Sequence, residues 1–248
     1  MIRNLIYHIA PFKRNDAWKQ NIRQLLARID LFNGKRIVGI VTGDDLVPAQ
    51  VVQDALGPNR IEFVVLKNDP LLCEASTFYT MLTLVRSTRS DEWTFYAHAK
   101  GSSRLEYLKE VTWWRNSMYH FCLDNPARWN RIAASDQYDA MGCFRVYHVP
   151  GTLRKHRHLS PDLRTAEWHY SGTFYWFRHS AIFEPVSEMK WKWALPSKFV
   201  SEFWLQKLVP HGRAYCLYAD NPFKDRYDVH AHALQIDDDE EPWRWTDG

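Results

Sequence analysis

The sequence predicts an α/β protein built on a central, mainly parallel sheet flanked by helices, and three observations carry that prediction. Segments of strand composition alternate with segments of helical period from the first residue up to Ala97, a pattern that right-handed βαβ crossovers satisfy. The run WTFYAHAKGSSR at 93–104 turns abruptly from apolar and aromatic to His, Lys, Gly and Ser, as a buried strand does where it surfaces into a loop. No linker, internal repeat or low-complexity segment divides the 248 residues, so a single domain over 1–248 is expected.

The elements follow in order. Ile2 to His8 reads as a buried strand that Pro11 closes, and Trp18, Ile22, Leu25, Leu26 and Ile29 form the stripe of an amphipathic helix ended by Asn33-Gly34. Ile37 to Thr42 is a second strand, after which Pro48 opens a helix through Val51, Val52 and Ala55. Ile61 to Leu66 is a third. Asn68-Asp69-Pro70 signals a helix start, with Phe78, Met81, Leu82 and Val85 at helical spacing behind it. Trp93 to Ala97 is the fourth strand, and these four are expected as parallel neighbours in one sheet.

Beyond Ala97, Tyr107, Val111, Trp114, Met118 and Phe121 mark a long helix with Arg115 on its flank, and Asn125-Pro126 starts a shorter one through Trp129 and Ile132. Tyr138 to Phe144 reads as a strand, 147–167 as a loop rich in basic residues and His, and Trp168 to Arg178 as one aromatic strand. Ser197 is placed to cap a helix holding Val200, Phe203, Trp204 and Leu208. Ala214 to Tyr218 is a last strand, before an irregular tail from Asp220 to His232.

Composition narrows the function class. With 46% hydrophobic and 25% charged residues the chain is of ordinary globular type, and a formal charge of +3 gives no footprint for nucleic acid. The basic cluster LRKHRH at 153–158 and the acidic run Asp237 to Glu241 read as solvated surface. Four dispersed cysteines indicate neither a zinc knuckle nor a disulfide framework. No apolar run has the length of a signal peptide core or a membrane helix, so a cytoplasmic protein without transmembrane segment is expected. The absence of GxGxxG after the first strand, of GxxxxGK[ST] and of GxSxG argues against a dinucleotide fold, a P-loop and that hydrolase class.

The ordered set FYAHAKG, WWR, YDAMGC, HYSGTFYWFR and SEFWL, spanning roughly 93–205, resembles a group of bacterial GT-A type glycosyltransferase-like proteins related to the rhamnan-synthesis proteins. The resemblance implies a GT-A-like (Rossmann-like) fold and transfer of a sugar from a nucleotide-sugar donor to a hydroxyl of a glycan or polysaccharide acceptor. Residues 1–101 would then be the nucleotide-sugar-binding half and 102–248 the acceptor half and tail. A catalytically idle sugar-nucleotide or glycan-binding module of the same fold is the alternative. Where GT-A enzymes place an Asp-x-Asp metal motif this sequence has His98-Ala99-Lys100, which leaves dependence on a divalent metal open.

Such transfer needs charge stabilised on a leaving diphosphate and a base for the attacking hydroxyl. Lys100 is the candidate stabiliser, aided by His98 and by Arg115 or Arg154, although a salt bridge for Lys100 and a loop role for His98 fit equally. Glu202 is the candidate base because the resemblance places an acid there, a helix-surface glutamate being the bland reading. Asp44 and Asp45 sit where such folds hold a base or ribose, or else cap the helix opened by Pro48. Ser171 and Gly172 are assigned to the acceptor side. Trp168, Tyr175 or Trp176 are placed to stack on a sugar or to pack the core. His230 and His232 form an H-x-H pair, a weak metal candidate without fixed partners.

Overall fold

A computed structural model describes residues 1–89, 91–103, 109–148, 166–183 and 200–218. The loop at 149–165 with Arg154, the start of the helix at Ser197 and the tail with His230 and His232 lie outside the described residues.

The strands are β1 (Ile2–Ile9), β2 (Arg36–Thr42), β3 (Glu62–Lys67), β4 (Glu92–His98), β5 (Ala140–Cys143), β6 (Arg145–Tyr147), β7 (Trp168–Tyr170), β8 (Tyr175–Arg178) and β9 (Ala214–Tyr218). Seven of them form one sheet in the order β3-β2-β1-β4-β8-β5-β9, and β6 with β7 forms a separate antiparallel pair. The first four strands are parallel neighbours, as the alternation predicts. β8 enters antiparallel between β4 and β5, and β5 pairs parallel with β9. The α/β class with a central, mostly parallel sheet therefore holds.

The helices are α1 (Ala17–Leu26), α2 (Ala49–Leu56), α3 (Ala75–Val85), α4 (Lys109–Leu123), α5 (Pro126–Ala134), α6 (His179–Phe183) and α7 (Val200–Phe203). α1 buries Trp18, Ile22 and Leu25 on its apolar stripe, and with them the polar Asn21. α5 starts where predicted, with the Asn125 side chain accepting from the Arg128 N–H at 2.9 Å and Pro126 in the first turn. α3 begins later than Asn68-Asp69-Pro70 suggests, because Asp69 Oδ1 accepts from Leu71 N–H in a local turn and Cys73 adopts φ +50°. Among the described residues no helix is long and apolar enough to cross a membrane.

Two aromatic layers cover the sheet. On one face Phe95 and Trp176 pack on Phe32, and Trp129 stacks on Trp176 with ring centroids 5.4 Å apart. On the other face Tyr96, Phe78 and Trp204 meet, with a 5.3 Å edge contact between the last two. Truncating such a ring to Ala typically costs about 3–5 kcal/mol.

The aromatic run 168–178 is not one strand. Gly172 and Thr173 adopt φ +93° and +62°, and two successive left-handed residues break the extended backbone into β7 and β8, which belong to different sheets. Trp168 and Trp176 are 1% and 0% exposed. Neither ring presents a face to a ligand, so the stacking role gives way to core packing, and Tyr175, also at 0%, follows them.

Candidate functional site

β1 and β4 run side by side in the same direction, so their last residues emerge at one edge of the sheet, with His8 and His98 as register partners. Ligands gather outside the carboxyl ends of strands in such sheets. A cavity of about 590 Å³ opens there, lined by His8, Glu74, His98, Lys100, Thr173 and Glu202 among others. Trp114, Arg14 and Asp45 also reach it.

The HAKG turn is fixed from behind. Asn21, fully buried on α1, accepts from the Lys100 N–H through Oδ1 at 3.1 Å and donates through Nδ2 to the Lys100 and Ala17 carbonyls at 2.9 and 2.8 Å. The Tyr7 and Tyr119 hydroxyls, 2.6 Å apart, stand behind the same Oδ1 at 3.4 Å. Every amide valence of Asn21 is thus used, and the Lys100 peptide cannot turn without leaving a buried group unpaired. Gly101 sits at φ +84°, and a Cβ there would come within 2.8 Å of Val111 Cγ1. The Lys100 ammonium lies over the Trp114 ring, 3.7 Å from its centroid.

Glu74, at the start of α3, answers this cationic wall. Its Oε1 lies 3.4 Å from His98 Nδ1 and accepts from the Ser201 hydroxyl at 3.1 Å, with the Thr173 hydroxyl at 3.5 Å. Burial alone would raise its carboxyl, but His98, His8 and Lys100 outweigh that and hold it at about 2. His8 moves the other way. Burial lowers it to about 4, with His98 adding to that and Glu74 opposing, so it is neutral at pH 7 and bonded to Thr77 Oγ1 at 2.7 Å.

Glu202, on α7, also lines the cavity. Its Oε1 accepts from the Gly172 N–H at 3.1 Å and lies 3.6 Å from His169 Nε2. His169 Nδ1 in turn meets His148 Nε2 at 2.8 Å. The Gly172 backbone reaches the carboxylate because nothing larger fits, a Cβ there falling 2.6 Å from Met118 Sδ and 2.9 Å from Trp114 Cζ2.

The structure thus brings together Lys100, His98, Glu202 and Asp45 at one cavity and Gly172 at the back of Glu202, while other candidates stand apart. Arg115 is buried, donates to Asn116 Oδ1 and does not line the cavity. Its place on α4 points it inward, toward the Tyr7 and Tyr119 hydroxyls it influences electrostatically. Ser171 is buried, with its N–H on the Phe144 carbonyl; its neighbour Thr173 lines the cavity instead. Asp44 is exposed outside the lining, and its carbonyl accepts from Lys13 Nζ. Neither Asp44 nor Asp45 caps α2, whose N-terminus has no side-chain hydrogen bond.

Sequence reasoning missed Glu74, His8, Asn21 and Thr173. Asn21 had a signal, a polar residue on an apolar helical stripe, and His8 ends a strand beside the one that carries HAKG. Glu74 and Thr173 had none, because left-handed turns at 73 and 172–173 aim them.

The residues at the end of β4 do not fit a divalent cation. His98 and Lys100 flank Ala99 where two carboxylates would be needed, and the fixed ammonium charge repels a metal. Among the described residues no group of three or more His, Cys, Asp or Glu is placed to hold a metal ion.

No family model matches the chain, and no curated protein matches its sequence. Solved structures similar to it include a 4-diphosphocytidyl-2C-methyl-D-erythritol synthase, with TM-score 0.44, 11% identity and coverage of 96% of this chain and 99% of that one. A second is a nucleotide-diphospho-sugar transferase from Desulfovibrio desulfuricans G20, with TM-score 0.37, 11% identity and coverage of 88% and 80%. A third is the galactosyltransferase LgtC in complex with donor and acceptor sugar analogs, with TM-score 0.39, 12% identity and coverage of 88% and 73%. Likenesses this distant assign no activity, and the function is argued from the cavity itself.

Proposed function

We propose that the chain is a cytoplasmic, single-domain glycosyltransferase of the GT-A type that moves a sugar from a nucleotide-sugar donor to a hydroxyl of a glycan acceptor in surface polysaccharide synthesis. The observation that carries this reading is the convergence of Lys100, His98 and Glu202 on the lining of one cavity. The groups for the two tasks of the reaction thereby share one space of small-ligand size.

In this reading the acceptor oxygen attacks the anomeric carbon, the carbon–oxygen bond to the diphosphate breaks, and the electron pair stays on the departing phosphate. Lys100 stabilises the developing charge, and Arg14 at the cavity rim extends the cationic wall toward the second phosphate. Glu202 takes the proton of the acceptor hydroxyl. Glu74, held ionised at about 2, is too weak a base for that task and serves to hold His98. Asp45 is assigned to the donor ribose.

A thermal-shift screen against nucleotides and nucleotide sugars, followed by a transfer assay with the stabilising donor, tests the reading. Glu202→Gln is expected to abolish transfer while leaving donor affinity nearly intact. Wild-type transfer rates in that variant would overturn the assignment of the base, and donor binding without any turnover would support the idle-module alternative.

A further inference from the structure

We propose that His169, with His148 behind it, is a positioning residue that orients the Glu202 carboxylate for proton abstraction; the inference rests on the reading of Glu202 as the base. Three side chains stand in line. Glu202 Oε1 is 3.6 Å from His169 Nε2, and His169 Nδ1 is 2.8 Å from His148 Nε2. Side chains of His169 and Glu202 are 11% and 15% exposed, so their contact is little screened by water.

With both rings neutral, the short contact between the two imidazoles restricts where the protons sit. One hydrogen lies between His169 Nδ1 and His148 Nε2. If His169 supplied it, the bare Nε2 of a neutral His169 would turn its lone pair on a carboxylate oxygen. If His148 supplies it, His169 carries its own proton on Nε2 and aims an N–H at Glu202. Of the two neutral arrangements only the second leaves no acceptor facing an acceptor, and it is the one adopted for His169.

Glu202 Oε1 then meets two donors, the Gly172 N–H at 3.1 Å and the His169 N–H. The 3.6 Å separation closes into a hydrogen bond on ligand binding, when catalytic contacts tighten. With Oε1 pinned, the other oxygen is the one left for the acceptor hydroxyl, which is the logic of a base oriented by a third group. Packing holds the histidine pair in register. The His169 and His148 rings are parallel within 5° with centroids 4.9 Å apart, as an in-plane N–H···N bond requires, and Phe203, next to Glu202 on α7, packs on His169 at 4.5 Å.

A phenylalanine at this position keeps the packing on Phe203 and removes both nitrogens, which makes His169→Phe the informative variant. His169→Gln restores an N–H at the same distance from Cα as Nε2. The test begins with imidazole nitrogen spectra of the full chain labelled with 15N-histidine, assigned with His169→Phe and His148→Phe. A neutral His169 protonated on Nε2, and a His148 protonated on Nε2, are expected. A proton on His169 Nδ1 would overturn the proposal whether or not transfer is ever detected, so its failure is separate from failure of the glycosyltransferase reading. In the transfer assay His169→Phe is expected to lower kcat about tenfold to a hundredfold with donor KM unchanged, and His169→Gln to recover part of the loss. Wild-type kcat in His169→Phe, or a rise in donor KM alone, would reduce the histidine to a packing residue. If His169→Phe does not fold, the wild-type tautomers and the kcat of His169→Gln carry the decision.

Discussion

Acidification from pH 7 to pH 5 should destabilise this protein through two buried histidines, and the size of the effect follows from their surroundings. His8 and His179 are 5% and 0% exposed and each is held at about 4, chiefly by burial, against about 6.5 for an unfolded histidine. His8 bonds to Thr77 Oγ1 at 2.7 Å, and His179 Nε2 meets Thr94 Oγ1 at 2.6 Å in the network at the far end of β4. A depressed histidine favours the fold while neutral. Its contribution is full above about 6.5 and is lost as pH falls toward 4, because the unfolded chain takes up the proton first. By pH 5 each site forfeits about 2 kcal/mol, so about 4 kcal/mol for the pair. Glu74, held at about 2, keeps its contribution down to the ordinary carboxylate range near 4.5 and leaves this window to the histidines. Urea unfolding at pH 7, 6 and 5 measures the loss, and His179→Gln, which retains a donor toward Thr94, should remove about half of the slope. Equal unfolding free energies at pH 7 and 5 would refute the reasoning.

Three further outcomes are expected. Lys100→Ala should lower turnover by about two to three orders of magnitude, as for loss of one preorganised charge contact, with little change in the ligand-free melting temperature; unchanged turnover would leave HAKG a structural turn. Gly172→Ala should cost about 1–3 kcal/mol, since φ +93° and the contacts with Met118 and Trp114 oppose a Cβ, and wild-type stability in urea would contradict that. Asn21→Leu should cost about 1–3 kcal/mol for each Lys100 backbone group left unpaired, and should weaken donor binding in a titration; wild-type donor affinity would show that the clamp does not set the site.

The sequence made the parallel half legible because each of its strands is a short run rich in apolar and β-branched or aromatic residues between turn signals. Ile2–Ile9, Arg36–Thr42, Glu62–Lys67 and Glu92–His98 fall within a residue or two of their predicted bounds. The strand at 168–178 was misread as continuous because aromatic residues favour strands on both sides of Gly172, and periodicity does not reveal a reversal by two left-handed residues. The same limit governed the site. Lys100 and His98 were visible as polar residues at the end of an apolar segment, and Glu202 only through the resemblance that places an acid there. Glu74 and Thr173 reach the cavity only through local turns, and Trp168 and Trp176 looked available only because composition does not say which face of a sheet is covered.

The antiparallel entry of β8 bears on the order in which the protein assembles. The two walls of the cavity are remote in the chain, with Thr173 and Glu74 meeting across 99 residues and Ser201 and Glu74 across 127. Closing such loops costs chain entropy before any contact rewards it, and contacts of high sequence separation form slowly. The parallel half is no more local, since β1 and β4 meet across 90 residues at Asn4 and Thr94 and Lys100 is held by Asn21 across 79, so both walls of the cavity depend on long-range pairing. Binding competence should therefore trail the recovery of helical structure during refolding, with the late phase set by the long-range pairing of β4 with β1 and β8.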